Sequence, residues 1–287
     1  MKDLEGAGAS SQPNKPLVSP YDVGQTPSVA CGYDQRFSYC LYVPRNGDPE
    51  TRRIFVAVHG TGRGNQIMRN RYMQLADALN LIVLAPLFPS GIVDPDDRDN
   101  YKYIEYHGIR FDLVLLAMID EVSAKYGLAE QPFSMIGFSG GAHFAHRFYY
   151  LHPERLSAVS ICAPGSPTLP DAGKPWWIGV KDMEQRFGRP FSPDAMRRVP
   201  VHLAVGGADR ETWEITHRPG SKHWIAGAND TGSTRVERLA TLHCALADMG
   251  VQVRLDCIDG VAHEFEPLAS RADLFFEEVL GAGASGR

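Results

Sequence analysis

Apolar positions along this chain fall into two alternating rhythms. Short, nearly unbroken apolar runs occur at Arg53 to Val58, Leu81 to Leu84, Leu156 to Cys162, Val201 to Val205 and Val251 to Ile258. Runs of that length and continuity suit strands buried on both faces. Between them apolar residues recur at helical spacing: Met68, Tyr72, Leu75 and Leu79; Phe111, Leu115, Met118, Val122 and Tyr126; Val236, Leu239, Leu246 and Met249; Leu268, Ala272, Phe275 and Val279. Earlier, the aromatic stretch Phe37 to Val43 is β-prone and runs into the turn Pro44 to Pro49, the pattern of an antiparallel hairpin strand. Strands alternating with helices predict an α/β fold, a mostly parallel sheet with helices on both faces. No internal repeat or linker interrupts the pattern. Residues 31–282 therefore read as one α/β domain, and residues 1–30, rich in Gly, Ser and Pro, as a loose N-terminal segment.

Three stretches depart from the rhythm. Phe88 to His107 is a long loop rich in Asp, Pro and Tyr. Ala163 to Val199 separates two predicted strands and holds Pro175-Trp176-Trp177, with a short helix expected from Ser192-Pro193; it reads as a cap-like insertion. Glu211 to Thr231 is an excursion before the next helix and carries His217, His223 and Trp224.

Composition narrows the function. The 287 residues carry a formal net charge of −5, with arginines and lysines clustering no further than pairs such as Arg52-Arg53. Nucleic acid and anionic membrane are therefore not expected partners. No run reaches the length of a membrane span, and the polar N-terminus has no export-signal pattern, so a cytoplasmic location is expected. The five cysteines, an odd number, form no Cys-x-x-Cys pair and read as reduced thiols; Cys31 with Cys40 is the one pairing worth checking.

The chemistry centres on Gly137-Phe138-Ser139-Gly140-Gly141, between an apolar run ending at Ile136 and a helix-like run from Ala142. Strand, Gly-x-Ser-x-Gly, helix is the layout of a nucleophile elbow. A serine hydroxyl needs a base, and the base needs an orienting carboxylate. Asp209 follows the strand Val201 to Val205, and His263 lies in the loop after the last strand, giving the order Ser, acid, His along the chain. Glu211 and Asp230 are the rival acids. Two backbone amides should hold an oxyanion. Gly140 supplies one, and the loop His59-Gly60-Thr61 the other, with Thr61 the first choice and Gly62 the second.

These residues resemble the α/β-hydrolase superfamily over roughly residues 35 to 280. Within it the chain is similar to the esterase branch related to polyhydroxybutyrate depolymerases and feruloyl esterases, through Tyr42-Val43-Pro44, His59-Gly60, the elbow, Gly207-Ala208-Asp209 and His263. The resemblance implies an α/β-hydrolase fold of about eight strands. It implies Ser139, Asp209 and His263 as catalytic residues, no cofactor, and a carboxylic ester as the bond cleaved. Export signals are usual in secreted members of that branch, and none is visible here.

The expected partner is a small-molecule ester or amide, and a homodimer stays open. An amidase or peptidase, an acyltransferase, and a non-catalytic ligand-binding protein on the same scaffold are the alternatives. His59, Trp176, Trp177 and Trp224 are candidate substrate contacts, and the aromatic insertion points to a partly apolar acyl or aryl group. No metal is expected. His143 and His146 have permissive spacing but no paired carboxylate, so they read as core or surface histidines. Asp94-Pro95-Asp96-Asp97 opens like a calcium loop, yet Arg98 takes a ligand position and Asp99 replaces the turn glycine, so it reads as a solvated turn.

Overall fold

The computed structural model describes residues 19–281. The strands, in chain order, are β1 (Gly24–Gln25), β2 (Val29–Ala30), β3 (Ser38–Val43), β4 (Arg53–Val58), β5 (Leu81–Leu87), β6 (Glu105–Tyr106), β7 (Ile109–Arg110), β8 (Phe133–Phe138), β9 (Leu156–Cys162), β10 (Val201–Gly206) and β11 (Val253–Ile258). The helices are α1 (Asn65–Arg71), α2 (Met73–Leu79), α3 (Phe111–Tyr126), α4 (Gly140–Leu151), α5 (Met183–Phe187), α6 (Pro193–Met196), α7 (Arg235–Asp248) and α8 (Phe265–Gly281).

Nine strands share one sheet, in the order β1-β3-β5-β4-β8-β9-β10-β11, with β2 also beside β3. From β5 to β11 every neighbour is parallel, whereas β3 runs antiparallel to β5. Strands β4, β8, β9 and β10 are almost wholly buried, as their unbroken apolar runs demand. The edge strand β11 is only partly buried. The chain goes from β4 outward to β5, then returns to build β8 on the other flank of β4. The carboxyl ends of β4 and β8 therefore flank the switch point, where open α/β sheets bind ligands.

Several expectations change in detail. Residues 1–18 of the expected loose segment lie outside the described residues, but β1 and β2 within 19–30 pair with β3 and extend the sheet. Two or three residues of strand give too short an apolar alternation to be read from sequence. The helix marked by Met68 to Leu79 is two helices, α1 and α2, broken at Tyr72, whose fully buried ring packs on Phe55. Helix α4 is buried on every side, His143, His146 and Arg147 included, so no face of it meets solvent. Its polar residues need partners inside the protein, and those partners shape the site below. All five cysteines are free: Cys40 Sγ contacts Ala85 O and Asn65, while Cys31 Sγ faces Glu121. No helix among the described residues is long and apolar enough to cross a membrane.

Candidate active site

Ser139 stands between β8 and α4 at φ 53° and ψ −114°, a positive φ that a residue with a side chain adopts only under strain. Close packing around it enforces the turn. A Cβ on Gly137 would lie 2.1 Å from Gly141 O, and one on Gly141 would lie 2.3 Å from Val58 O. Only glycine lets the strand, the turn and the helix approach this closely. The Ser139 amide donates to Cys162 O at 2.8 Å, tying the elbow to β9.

Two later strand ends deliver the partners. Asp209 leaves β10 and is 1% exposed; His263 lies in the loop between β11 and α8. His263 Nε2 is 3.0 Å from Ser139 Oγ, and its Nδ1 is 2.6 Å from Asp209 Oδ2. The other oxygen of Asp209 accepts from Arg235 Nη1 at 3.1 Å, and Arg235 Nη2 reaches Glu214 at 2.5 Å. Burial works to raise the Asp209 carboxyl, but the hydrogen bond and charge of His263, together with Arg235, outweigh it and hold the group below its usual value. An ionised, fixed carboxylate of this kind orients the imidazole so that Nε2 can accept the serine proton. Phe138 supports the ring from one side, stacked at 4.8 Å between centroids.

Thr61 and Gly140 line a cavity of about 220 Å³ with Ser139. A Cβ on Gly140 would meet Thr61 Oγ1 at 3.0 Å and Tyr101 Oη at 2.6 Å, so the space beside this amide is narrow and polar. The Thr61 hydroxyl is buried without a hydrogen-bond partner. His59 does not reach the cavity. It is fully buried, Nδ1 donating to Gly60 O at 2.8 Å and Nε2 accepting from the Phe88 amide at 3.0 Å. That pairing fixes the tautomer and the shape of the loop carrying Thr61. Tyr101 Oη adds a bond to His59 O at 2.9 Å.

The far wall of the cavity is main chain held from behind. His143 Nε2 accepts from the amides of Gly165 and Ser166 at 2.7 and 3.1 Å, and His146 Nε2 accepts from Thr168 at 2.9 Å. Arg147 donates to Ser166 O and Thr168 Oγ1, and Arg238 donates to Gly165 O. The polar face of α4 thus grips residues 165–168, which is the role of both histidines. The excursion adds Glu214, His217, Lys222 and His223 to the lining, the long loop before α3 adds Asp99, Lys102 and Tyr103, and α7 adds Arg235.

The three tryptophans named from sequence do not line this cavity. Trp176 and Trp177 are each 7% exposed: one packs on Phe187, and the other packs on Tyr103 and donates Nε1 to His223 O. Trp224 is 43% exposed and lies outside the lining. Aromatic clusters in an insertion fill its own small core first, which composition alone does not separate from substrate contact. The lining is mixed, with Tyr103 and Ile215 among polar and charged side chains. Asp97 of the solvated turn pairs with Lys222 at 2.5 Å and caps Asn100, and no cluster among the described residues could hold a metal ion.

Sequence reading missed Arg235, Lys102 and the segment 165–168. The capping box Thr234-Arg235-Val236-Glu237 does mark the start of α7, placing Arg235 at its first turn. Nothing local marks Lys102, which reaches the site from the middle of a loop.

The sheet order, the elbow and the two strand-end partners define the α/β-hydrolase fold. Solved structures agree. The chain is similar to a poly(3-hydroxybutyrate) depolymerase from Bordetella parapertussis, with TM-score 0.69 and 21% identity over 89% of this chain and 91% of that one. It is also similar to a poly(aspartic acid) hydrolase from Sphingomonas sp. KT-1, with TM-score 0.66 and 22% identity over 83% and 92%. An S-formylglutathione hydrolase from Agrobacterium tumefaciens follows at TM-score 0.59 and 17% identity, over 85% and 89%. No protein-family model and no curated protein sequence matches.

Proposed function

We propose that this protein is a serine hydrolase that cleaves a carboxylic ester through an acyl-enzyme. The observation that carries the reading is the unbroken hydrogen-bonded chain from Ser139 Oγ through His263 to Asp209, beginning at a strained elbow. In this mechanism Ser139 attacks the carbonyl carbon while His263 Nε2 takes its proton. Asp209 holds the imidazole in place and stabilises the cation that forms. The amides of Thr61 and Gly140 receive the oxyanion, and the unpartnered Thr61 hydroxyl stands where it can add a third donor. His263 then protonates the leaving group, and water, activated by the same histidine, releases the acid.

Esters are favoured as substrates because the solved structures similar to this chain include a poly(3-hydroxybutyrate) depolymerase and a protein described as a thermostable esterase. A serine-directed fluorophosphonate tests the reading directly. It should add one label to the wild-type protein, on the peptide carrying Ser139, and none to Ser139→Ala. A panel of aryl esters should be turned over by the wild type alone. An unlabelled wild type, or a label elsewhere, would sink the assignment.

A further inference from the structure

Two arginines behind the cavity have no carboxylate to answer them. Arg147 is fully buried and bonds only to Lys102 O, Ser166 O and Thr168 Oγ1, with its guanidinium 4.4 Å from the Tyr103 ring centroid. Arg238 is 1% exposed and bonds only to carbonyl oxygens and the Asn229 side chain. A buried charge without a counter-charge is costly, and hydrogen bonds to neutral groups offset that cost only in part. The other charges near the cavity are matched: Lys102 by Asp99, Lys222 by Asp97, and Arg235 by both Asp209 and Glu214. Asp94 also stands 3.9 Å from Lys222, so Arg147 and Arg238 are the cations of this group that make no ion pair. The cavity histidines do not alter the balance, because burial keeps His143, His217 and His223 neutral at pH 7.

Lys102 is the cation that lines the cavity beside Ser139 and Gly140. It is 8% exposed, and its Cε would lie 2.9 Å from a Cβ on Gly140, directly beside the nucleophile's turn. Its ammonium gives one hydrogen bond, to Asp99 Oδ1 at 2.6 Å. An ammonium has three donors, and the other two have no partner among the described residues. The cavity also has a side. His263 is absent from its lining, whereas Gly140, His143 and Lys102 form it. A leaving group must lie against His263 to receive its proton, so this cavity takes the acyl part.

We propose that the acyl part of the substrate carries a carboxylate, bound by the two free N–H groups of Lys102 in the cavity beside Gly140. This rests on the serine-hydrolase reading and specifies its substrate as a short dicarboxylic monoester.

The test compares two aryl esters of equal chain length, the monoester of glutaric acid and the ester of pentanoic acid, each corrected for its rate with Ser139→Ala. Wild-type kcat/KM should favour the carboxylated ester by roughly tenfold or more, the worth of a hydrogen bond to a charged group. Lys102→Met should reduce that ratio by about tenfold, chiefly through KM, and Lys102→Arg should restore part of it. Free glutarate should inhibit hydrolysis of the neutral ester by wild type more tightly than pentanamide does, a measurement that needs no variant to fold. A wild-type ratio of one or less, an unchanged ratio in folded Lys102→Met, or glutarate no tighter than pentanamide overturns the proposal. If the neutral ester is still cleaved in a Ser139-dependent way, only the carboxylate preference falls. If neither ester is cleaved and the fluorophosphonate leaves Ser139 unlabelled, the hydrolase reading falls with it.

Discussion

Arg235 donates to the one oxygen of Asp209 that His263 leaves free, at 3.1 Å, while His263 holds the other at 2.6 Å. The carboxylate is therefore fixed from two directions inside the protein. Its rotation, and with it the direction in which His263 points, is set before any substrate arrives.

Replacing Asp209 by Asn keeps the shape but reverses the demand on His263 Nδ1. The ring would be held in the wrong tautomer, with Nε2 protonated and unable to accept from Ser139. We expect kcat to fall by about 10³- to 10⁴-fold with KM little changed. Steady-state kinetics on an aryl ester measures this, and a loss below tenfold would point to Glu211 or Asp230 as the acid.

Thr61→Val should separate activity from stability. The buried hydroxyl has no partner, so its removal relieves a desolvation cost of up to about 1 kcal/mol, and Tm should rise slightly. If the hydroxyl serves the oxyanion, kcat should fall about tenfold or more, and Thr61→Ser should retain most of the rate. Equal kcat for Val and Thr would leave the work to the two amides.

Gly141→Ala should be far more damaging than its size suggests. The new Cβ would stand 2.3 Å from Val58 O, and neither the β4 backbone nor the elbow can yield without moving the sheet. About 3 kcal/mol or more of stability should be lost. Gly62→Ala is the control, with nothing within 4 Å of its added Cβ, and it should unfold within a few tenths of a kcal/mol of wild type. Urea unfolding of both variants compares them.

Acid should weaken the fold before the carboxylates titrate. Burial pushes the His59 imidazole down to about 4, despite the bond to Gly60 O that favours its charged form. The unfolded chain binds this proton near the ordinary histidine value, about 6.5. Stability from His59 is therefore complete above that pH and declines as pH falls towards 4. At pH 5 the loss from this residue alone should be about 2 kcal/mol relative to pH 7. Burial lowers His202 to about 4 as well, in the same sense. Equal unfolding free energies at pH 5 and 7 would contradict this.

Much of this architecture is visible in the residue pattern, for a physical reason. Strands buried on both faces are mostly apolar, so β4, β9 and β10 stand out as nearly continuous apolar runs at close to their true limits. Ser139, Asp209 and His263 follow β8, β10 and β11 in the chain, so their order could be read before the fold brought the three side chains within hydrogen-bond reach. Pattern fails where contact is made between segments remote in sequence. Strands β1 and β2 are too short to show alternation, and they form because β3 offers an edge. Lys102 and Gly165 come to the cavity through tertiary packing alone. Trp176 and Trp177 misled for the opposite reason: their composition suggested a pocket, and packing used them as filling, while Trp224 stands exposed outside the cavity.

The wall formed by residues 165–168 is fastened by His146 and Arg147 of α4 and Arg238 of α7, which stand behind the cavity lining, and by His143, which is part of it. Its position is thus set within the protein. The opposite side comes from Lys102 and the excursion Glu211 to Thr231, and it is joined to that wall by His217 at Ser166 Oγ and by Arg238 at Ile215 O. A chain built this way is a good starting point for directed evolution. Randomising the excursion while keeping Glu214, which braces Arg235, and His217, which bonds Ser166, should retune which acyl groups enter and leave Asp209 and His263 in place.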